Sequence, residues 1–305
     1  MVVLVSGAKG QLGQALQFIS GNYPEVNFVF CDSSQLDITN FEQCEAVFNT
    51  YKPNFCINAA AYTAVDKAES EPDRAFDINT NGAQNLVAVC KAHQTVLIHV
   101  STDFVFDAYY ANGIAYYDRE KRLPLKSALG LTETDVPFPS GVYGLTKLQG
   151  EQAIQNTWNK YFIVRTSWVY SEFANNFMKT MLRLATERDS LSVVADQIGT
   201  PTYAVDLAKV LMTIVITQSA DMDNNTKYGI YNFSNEGQCS WYEFAAAIFE
   251  LSNIKIDLQP IPSSAYPTPA KRPAYSVLDK TKIKNNFGIE IQEWKQSLAN
   301  CLAKL

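Results

Sequence analysis

The chain has 305 residues, 47% of them hydrophobic and 18% charged, which is enough apolar material to fill one large core or two unequal ones. Its 25 Lys and Arg residues against 31 Asp and Glu residues give a net charge of −6, which argues against a nucleic-acid partner. No apolar stretch could cross a membrane and the N-terminus lacks the basic region of a signal peptide, so we expect no membrane partner and a cytoplasmic protein. Six scattered cysteines and only two histidines offer little material for disulfides, a metal cluster or a His-based triad.

The first half of the chain alternates short runs rich in β-branched residues with longer segments of helical periodicity. The predicted strands lie at 2–6, 26–31, 55–58, 95–101 and 161–166. The predicted helices lie at 11–20, 41–51, 72–93 and 142–158. Continuous apolar strands separated by helices indicate an α/β fold whose doubly wound parallel sheet, of the Rossmann type, is covered on both faces.

The pattern loosens after residue 167 into shorter elements. The predicted helices there lie at 175–188, 204–217 and 240–252, and the predicted strands at 191–194, 228–233 and 255–260. A Pro-rich stretch at 260–273 resists regular structure and is typical of a segment that wraps a surface or a cleft. We therefore expect one domain over 1–170 and a smaller α/β domain over 171–305, with a segment near 204–233 returning to the first sheet.

A glycine-rich turn, GAKGQLG at 7–13, follows the first predicted strand and opens the first predicted helix. Glycines at this place allow a backbone to approach a pyrophosphate, and the helix N-terminus supplies N–H donors, so the turn predicts a dinucleotide site. We therefore expect 1–170 to be the NAD(P)-binding domain and 171–305 the substrate-binding domain. Asp32 directly follows the second predicted strand. A carboxylate at this place accepts hydrogen bonds from ribose hydroxyls and repels a 2′-phosphate, so it favours NADH. Ser33 and Ser34 could instead donate to a 2′-phosphate, so the choice between NADH and NADPH stays open. The residues expected to flank the adenine are Asp37 and Ile38.

Tyr143 and Lys147 lie at i and i+4 on one face of the helix predicted from residue 142. Thr102 lies at the end of the fourth predicted strand, and the carboxyl ends of such strands form the ligand crevice of a doubly wound sheet. A threonine hydroxyl and a tyrosine phenol could there bind one substrate oxygen together. Because the ammonium of Lys147 would stabilise the phenolate, it would lower a tyrosine pKa that is normally about 10. This set predicts an acid for the reduction of a carbonyl group.

These features belong to a longer series of motifs. The series is GAKGQLG, NAAAYTAVDKAE (58–69), STDFVF (101–106), YGLTKLQGE (143–151), RTSWVY (165–170) and DQIGTPTYAVDLA (196–208). Over nearly its whole length the chain resembles the extended short-chain dehydrogenase/reductases and, more narrowly, the dTDP-4-dehydrorhamnose reductases. The resemblance implies reduction of the 4-keto group of dTDP-4-dehydro-L-rhamnose by NADPH or NADH to give dTDP-L-rhamnose.

The resemblance also implies roles for individual residues. The implied catalytic residues are Thr102, Tyr143 and Lys147. The implied cofactor contacts are Gly7, Gly10, Gln11, Leu12, Ala59, Ala60, Ala61, Tyr62, Asn79, Tyr143 and Lys147. The implied substrate contacts are Thr102, Asp103, Trp168 and Arg272, the last with the nucleotide phosphates. We interpret His99 as a packed, hydrogen-bonded core residue.

The chain departs from the resemblance in two places. An insertion at 109–130 separates Thr102 from Tyr143, and it could be a lid, a subunit contact or a surface loop. Some relatives dimerise through Mg²⁺ held partly by a carboxylate on the first helix, where this chain reads Gly13-Gln14-Ala15-Leu16. We therefore expect no such metal and leave a homodimer open.

Two other functions compete. A nucleotide-sugar epimerase or dehydratase would recycle bound NAD⁺, but dehydratase relatives carry Asp-Glu after the catalytic threonine, whereas Asp103-Phe104 stands here. A non-catalytic regulatory subunit that resembles the β subunit of methionine adenosyltransferase would bind the nucleotide without turnover.

Overall fold

The computed structural model describes residues 1–107, 109–111, 114–118, 123–124, 129–220 and 225–305, with side chains described outside 108–128 and 221–225. The strands in chain order are β1 (Val2–Ser6), β2 (Asn27–Cys31), β3 (Phe55–Asn58), β4 (Val96–Thr102), β5 (Tyr109–Ala111), β6 (Ile114–Asp118), β7 (Leu123–Pro124), β8 (Tyr161–Thr166), β9 (Val169–Tyr170), β10 (Ser190–Val194), β11 (Ile198–Gly199), β12 (Thr202–Tyr203), β13 (Gly229–Asn232), β14 (Cys239–Ser240) and β15 (Asp257–Ile261). The α-helices are α1 (Gln11–Ile19), α2 (Phe41–Tyr51), α3 (Val65–Ala68), α4 (Pro72–Phe76), α5 (Gly82–Ala92), α6 (Val142–Thr157), α7 (Phe177–Glu187), α8 (Ala204–Ser219), α9 (Trp241–Leu251), α10 (Thr281–Phe287) and α11 (Trp294–Leu302).

The central element is a parallel sheet with the strand order β13-β8-β4-β3-β1-β2. All neighbouring strands in it run parallel, with Val3 beside Phe28 on one side and Phe55 on the other. The predicted doubly wound Rossmann sheet is confirmed. β2 lies beside one edge of β1 and β3 beside the other, so the direction in which successive strands are added changes at β1. The ligand crevice of an α/β sheet lies at such a point.

Alternate residues of β1 fill two hydrophobic cores. Val3 and Val5 pack in one core with residues of α1 and α8, whereas Leu4 packs in the other with residues of α2 and α5. All three side chains are fully buried. Since both faces of the strand are covered by helices, its sequence is continuously apolar rather than alternating.

The second half of the chain forms smaller sheets beside the central one. β10 pairs parallel with β15, β9 with β12, and β11 antiparallel with β14. Helix α9 begins at a capping box in which Ser240 and Glu243 satisfy each other's backbone N–H groups. β13, which lies within the segment near 204–233, pairs with β8 in the central sheet. The domain boundary at residue 170 stays a prediction.

The structure differs from the predicted elements at two places. The helix predicted over 72–93 is interrupted at Asp77–Asn81 by a π-helical turn between α4 and α5. In the insertion, the backbone of β5, β6 and β7 forms an antiparallel sheet, but its predicted role as a lid or subunit contact depends on side chains that lie outside the described residues. No α-helix in the described ranges combines the length and apolarity needed to cross a bilayer.

A buried ion pair joins β8 to α6. The guanidinium of Arg165 donates to Glu151 through Nη2 at 2.6 Å and through Nε at 3.0 Å. The two side chains are only 2% and 0% exposed. Removal of one partner would leave the other charge buried and unpaired, which costs far more stability than loss of a surface pair.

We expect Glu151→Ala to lower the free energy of unfolding by about 3–5 kcal/mol, because the charge of Arg165 would then lack a counter-ion. Guanidinium denaturation followed by circular dichroism measures the loss. The matched control is Glu187→Ala, which breaks the exposed pair with Arg183 and should cost less than about 1 kcal/mol. Similar losses in the two variants would contradict the prediction.

Candidate active site

Two connected cavities follow the carboxyl edge of the central sheet. The larger, of about 630 Å³, lies between the start of α1, the end of β4, α6 and the second half of the chain. The smaller, of about 300 Å³, runs past the end of β2 and shares Gly10, Ala59 and Ala61 with the larger. Volumes of this size are typical of small-molecule sites.

The turn after β1 lies directly against the chain that follows β3. Gly7 has a φ of +72°, and a Cβ atom there would lie 2.7 Å from the backbone of Ala59 and Ala60. The helix α1 begins at Gln11, so its first N–H groups face the cavities without intrahelical partners. This cradle fits a dinucleotide pyrophosphate. The predicted contacts Gly10, Gln11 and Leu12 line the larger cavity.

Asp32 does not stand free at the end of β2. Its carboxylate forms an ion pair with Lys9 at 2.5 Å and accepts the hydroxyl and backbone N–H of Ser34. Hydrogen bonds from Lys9 and Ser34 hold the pKa of Asp32 well below its usual range. Lys9 is 83% exposed beside the smaller cavity, and the sequence analysis missed it because a lysine inside a glycine-rich turn gives no signal of its partner.

The two residues predicted beside the adenine differ in their surroundings. Both line the smaller cavity. Asp37 accepts hydrogen bonds from the backbone and hydroxyl of Thr39, while Ile38 is buried against the start of α5 at Gly82. Their contact with a cofactor stays a prediction.

Asn79 holds the segment after β3 to the catalytic helix. Its Oδ1 accepts the N–H of Tyr62 at 2.9 Å, and its Nδ2 donates to the Tyr62 carbonyl and to Thr146 on α6. The hydroxyl of Tyr62 donates to Glu71, and Tyr62 lines neither of the two cavities, unlike Ala59 and Ala61, which line both. Within the described residues the amide of Asn79 is thus engaged by protein, and a direct contact of Asn79 or Tyr62 with cofactor remains a prediction.

The three predicted catalytic residues all line the larger cavity: Thr102, Tyr143 and Lys147. Tyr143 lies in the first turn of α6, whose first N–H donates to Glu69. The prediction that Lys147 lowers the pKa of Tyr143 was wrong: burial raises this pKa to about 12, and a hydrogen bond with Thr102 opposes the rise. A tyrosine in that state is a protonated phenol at neutral pH, ready to donate.

Lys147 is 2% exposed and donates from Nζ to the carbonyl of Val100 at 2.8 Å. Its Nζ also lies 3.2 Å from Nε2 of His99. Burial lowers the pKa of Lys147 to about 8, although the charge of Glu151 opposes this. Burial and the charge of Lys147 also hold the pKa of His99 well below its usual value, so the imidazole is neutral. The lysine can therefore exist in both protonation states near neutral pH.

Asp103 is a buried carboxyl beside the catalytic residues. Its Oδ1 accepts the Thr102 hydroxyl at 3.0 Å, and its Oδ2 has no partner in the described part of the chain. Burial raises the pKa of Asp103 to about 6, despite hydrogen bonds from Ser276 and Thr102. Asp103 lines the larger cavity, and its contact with the sugar stays a prediction.

Aromatic side chains form the far wall of the larger cavity. Trp168 has a φ of +46° and stacks on Trp241 with ring centroids 3.6 Å apart. Phe177 packs on the other edge of Trp241. Trp168 was predicted, whereas Trp241 and Phe177 were not, because they come from predicted helices whose spacing shows only an apolar face.

Arg272 borders the same cavity, and both of its Nη atoms bond protein groups. It donates two hydrogen bonds to the carboxylate of Asp66, at 3.1 and 2.8 Å, and one to the hydroxyl of Thr268. The Arg272 guanidinium lowers the pKa of Asp66. The Pro-rich segment at 260–273 is thereby bonded to α3. The predicted contact with the nucleotide phosphates would require the Arg272 guanidinium to bind a phosphate while it still bonds Asp66.

Within the described residues no cluster of three or more His, Cys, Asp or Glu side chains is arranged to hold a metal ion. All six cysteines are buried free thiols.

Known proteins similar to the chain share its full length. The family described as RmlD substrate binding domain matches residues 1–305. A dTDP-4-dehydrorhamnose reductase of Aggregatibacter actinomycetemcomitans is 42% identical and covers 99% of this chain and 98% of its own length. The crystal structure of a dTDP-4-dehydrorhamnose reductase of Clostridium acetobutylicum superposes with a TM-score of 0.88 at 38% identity, covering 100% of this chain and 99% of its own. The Bacillus anthracis dTDP-4-dehydrorhamnose reductase, solved in complex with NADP, has the same TM-score at 37% identity and the same coverage.

Asp103→Asn should stabilise the protein at alkaline pH. The folded pKa of about 6 lies above the ordinary value of 3.8, so the stability contributed by the protonated carboxyl is complete below 3.8 and is lost as the pH rises through 6. We expect the variant to gain up to about 3 kcal/mol at pH 8, shrinking steadily between pH 6 and pH 4. Urea denaturation across this range measures it, with the exposed Asp73→Asn as control. A gain that does not change with pH would contradict the assignment.

Proposed function

The chain belongs to the RmlD family, whose relatives include dTDP-4-dehydrorhamnose reductases, and from this premise we propose that it reduces the 4-keto group of dTDP-4-dehydro-L-rhamnose with NADPH or NADH to give dTDP-L-rhamnose. The observation that carries the proposal is that Thr102, Tyr143 and Lys147 line one cavity that continues into the glycine cradle. A carbonyl reductase needs this combination of an acid and a dinucleotide site.

NAD(P)H, when bound, supplies the hydride that the sugar C4 receives. The protein must position the ketone, polarise it and deliver a proton to O4. Tyr143 would donate a hydrogen bond to O4, and Thr102 would do the same when its single hydroxyl proton turns from Asp103 to the substrate. The Tyr143 phenol would give up its proton as negative charge develops on O4. The ammonium form of Lys147 would stabilise the resulting phenolate. Because burial excludes water from these groups, each of these interactions is stronger than at the surface.

The second half of the chain would bind the rest of the substrate. The wall formed by Trp168 and Trp241 offers a flat apolar surface to the nucleoside or the deoxysugar. Arg272 would face the diphosphate while it keeps its contact with Asp66. Asp103 would face the sugar hydroxyls.

The competing functions are less well supported. The relatives that cover the full chain are named as reductases, and the position after Asp103 holds Phe104, which cannot serve as the second acid of a dehydratase. An intact acid with its lysine is not needed by a regulatory subunit. The six free thiols fit a reducing compartment, so we place the reaction in the cytoplasm.

The assay that tests the proposal follows NADH and NADPH oxidation with dTDP-4-dehydro-L-rhamnose. A reductase consumes one nicotinamide per sugar, an epimerase or dehydratase retains its nucleotide, and a regulator shows no turnover.

Tyr143→Phe should lower kcat by about 10²–10⁴-fold and leave NADPH affinity nearly unchanged, since the phenol acts on charge that develops in the transition state. The matched control is Tyr51→Phe, at an exposed tyrosine at the end of α2 that lines neither of the two cavities, and it should leave kcat unchanged. A loss below about tenfold in Tyr143→Phe would show that another group is the acid.

Cofactor preference should depend on the pair of Lys9 and Asp32. Asp32→Ala removes a charge that repels a 2′-phosphate and frees Lys9 to bind one, so the ratio of the NADPH to NADH values of kcat/KM should rise by about three- to tenfold. Lys9→Met should move the ratio in the opposite direction. Equal effects of either substitution on both cofactors would contradict this assignment and leave the choice to Ser33 and Ser34.

A further inference from the structure

A chain of buried hydrogen bonds runs from β1 across β3 and β4 to the catalytic lysine. The hydroxyl of Ser6 donates to Oδ1 of Asn58 at 2.7 Å. Nδ2 of Asn58 lies 3.0 Å from Nδ1 of His99, whose Nε2 lies 3.2 Å from Nζ of Lys147. These four side chains are between 0% and 2% exposed. No step of the reaction described above uses the first three.

The orientation of the Asn58 amide is fixed by the backbone. The N–H of Ala60 donates to Oδ1 of Asn58 at 3.1 Å. If the amide were reversed, two N–H donors would face each other at this place, at the cost of an unsatisfied buried group. Oδ1 therefore faces Ala60 and Ser6, and Nδ2 donates to Nδ1 of His99.

The amide in turn fixes the tautomer of the imidazole. Because Nδ1 of His99 accepts from Asn58, the single proton of the neutral ring is on Nε2. Nε2–H then points at Nζ of Lys147. An amine has a lone pair that can accept this proton, whereas an ammonium has only donors. The observed contact is therefore that of neutral Lys147.

We propose that His99 is a positioning residue for Lys147. Asn58 keeps the imidazole proton on Nε2, from which His99 donates a hydrogen bond to the neutral amine of Lys147. The ammonium form of Lys147 then exists only when Nζ turns away from His99 toward the cavity. The proton that forms the ammonium comes from the solvent of the cavity that Lys147 lines. The inference rests on the proposed function only for the use made of the ammonium. The protonation of Lys147 then depends on the row of hydrogen bonds through His99 and Asn58 that extends to Ser6 on β1.

Four other titratable side chains lie near Lys147. They are Tyr143 and Glu151 on α6, Arg165 on β8, which neutralises Glu151, and Asp103 beyond the end of β4. Glu151 favours the ammonium, so it opposes His99 rather than replacing it. Burial lowers the pKa of Lys147, and a hydrogen bond donated to the amine by His99 would act in the same direction.

The direct test is nuclear magnetic resonance of the free protein labelled with ¹⁵N-histidine. The chain has two histidines, so His93→Gln leaves the signals of His99 alone. We expect a neutral ring protonated at Nε2 throughout pH 6–9. A ring protonated at Nδ1, or an imidazolium, would overturn the proposal without any reference to activity.

The second test reverses the tautomer. Asn58→Asp replaces the Nδ2 donor by an oxygen that accepts Nδ1–H, so that Nε2 becomes an acceptor for the ammonium. The NMR signals should change to the Nδ1–H tautomer or the imidazolium. The alkaline limb of kcat/KM, expected near pH 8 from the pKa of about 8 of Lys147, should move up by about one pH unit or more.

The matched control is Ser6→Ala, which removes a hydroxyl from the same amide oxygen but leaves the Ala60 N–H to fix its orientation. Its tautomer and its pH profile should stay those of the natural chain. Equal shifts in both variants, or no shift in Asn58→Asp, would overturn the link to Lys147. If no sugar is reduced, the proposed function fails by itself, and the pH dependence of NADPH binding replaces kcat/KM as the second readout.

Discussion

The turn after β1 and the segment after β3 approach so closely that no side chain fits between them at Gly7. This contact occurs where the winding of the sheet changes direction, so it leaves a crevice instead of a covered edge. The first N–H groups of α1 then face the crevice from one side and the small residues Ala59 to Ala61 from the other. The position of a dinucleotide, and hence of every group that would act beside it, depends on this approach of two backbones.

The catalytic helix α6 is fixed to the same edge by separate contacts. Glu69 accepts its first N–H, and Asn79 and Thr80 bond Thr146 from the π-helical turn. Gly144 lies against the carbonyl of Phe104, where a Cβ atom would be 2.1 Å away. Tyr143 and Lys147 therefore project from a helix that is bonded on both sides of them. Such support is what a reaction needs when the acid must meet its substrate within a fraction of an ångström.

Much of the fold could be predicted because the central strands and helices carry strong apolar periodicity, and 41–51 was predicted with the bounds that α2 has. The π-helical turn could not be predicted, since it depends on where Asn79 meets Tyr62 and Thr146, residues far apart in the chain. The paired strands β9 and β12 have two residues each and exist only through tertiary contact.

The same distinction applies to the site. Thr102, Tyr143 and Lys147 could be located because strand ends and helical spacing are local properties. The pairing of Lys9 with Asp32, the stack of Trp168 on Trp241 and the bond of Arg272 to Asp66 join separate segments. No periodicity reports such pairs. His99 was correctly interpreted as a buried, hydrogen-bonded residue, but its partners could be named only when the neighbouring strands were in register.

The row of buried polar groups that ends at Lys147 has a consequence for how the molecule acquires its activity during folding. Its members come from positions 6, 58, 99 and 147, on three neighbouring strands and one helix. Such distant contacts form late, because each one closes a long loop. A partly folded chain could form its helices while the lysine still lacked its support. Recovery of activity after refolding would thus report the assembly of the central strands, at a stage that helix content alone does not reveal.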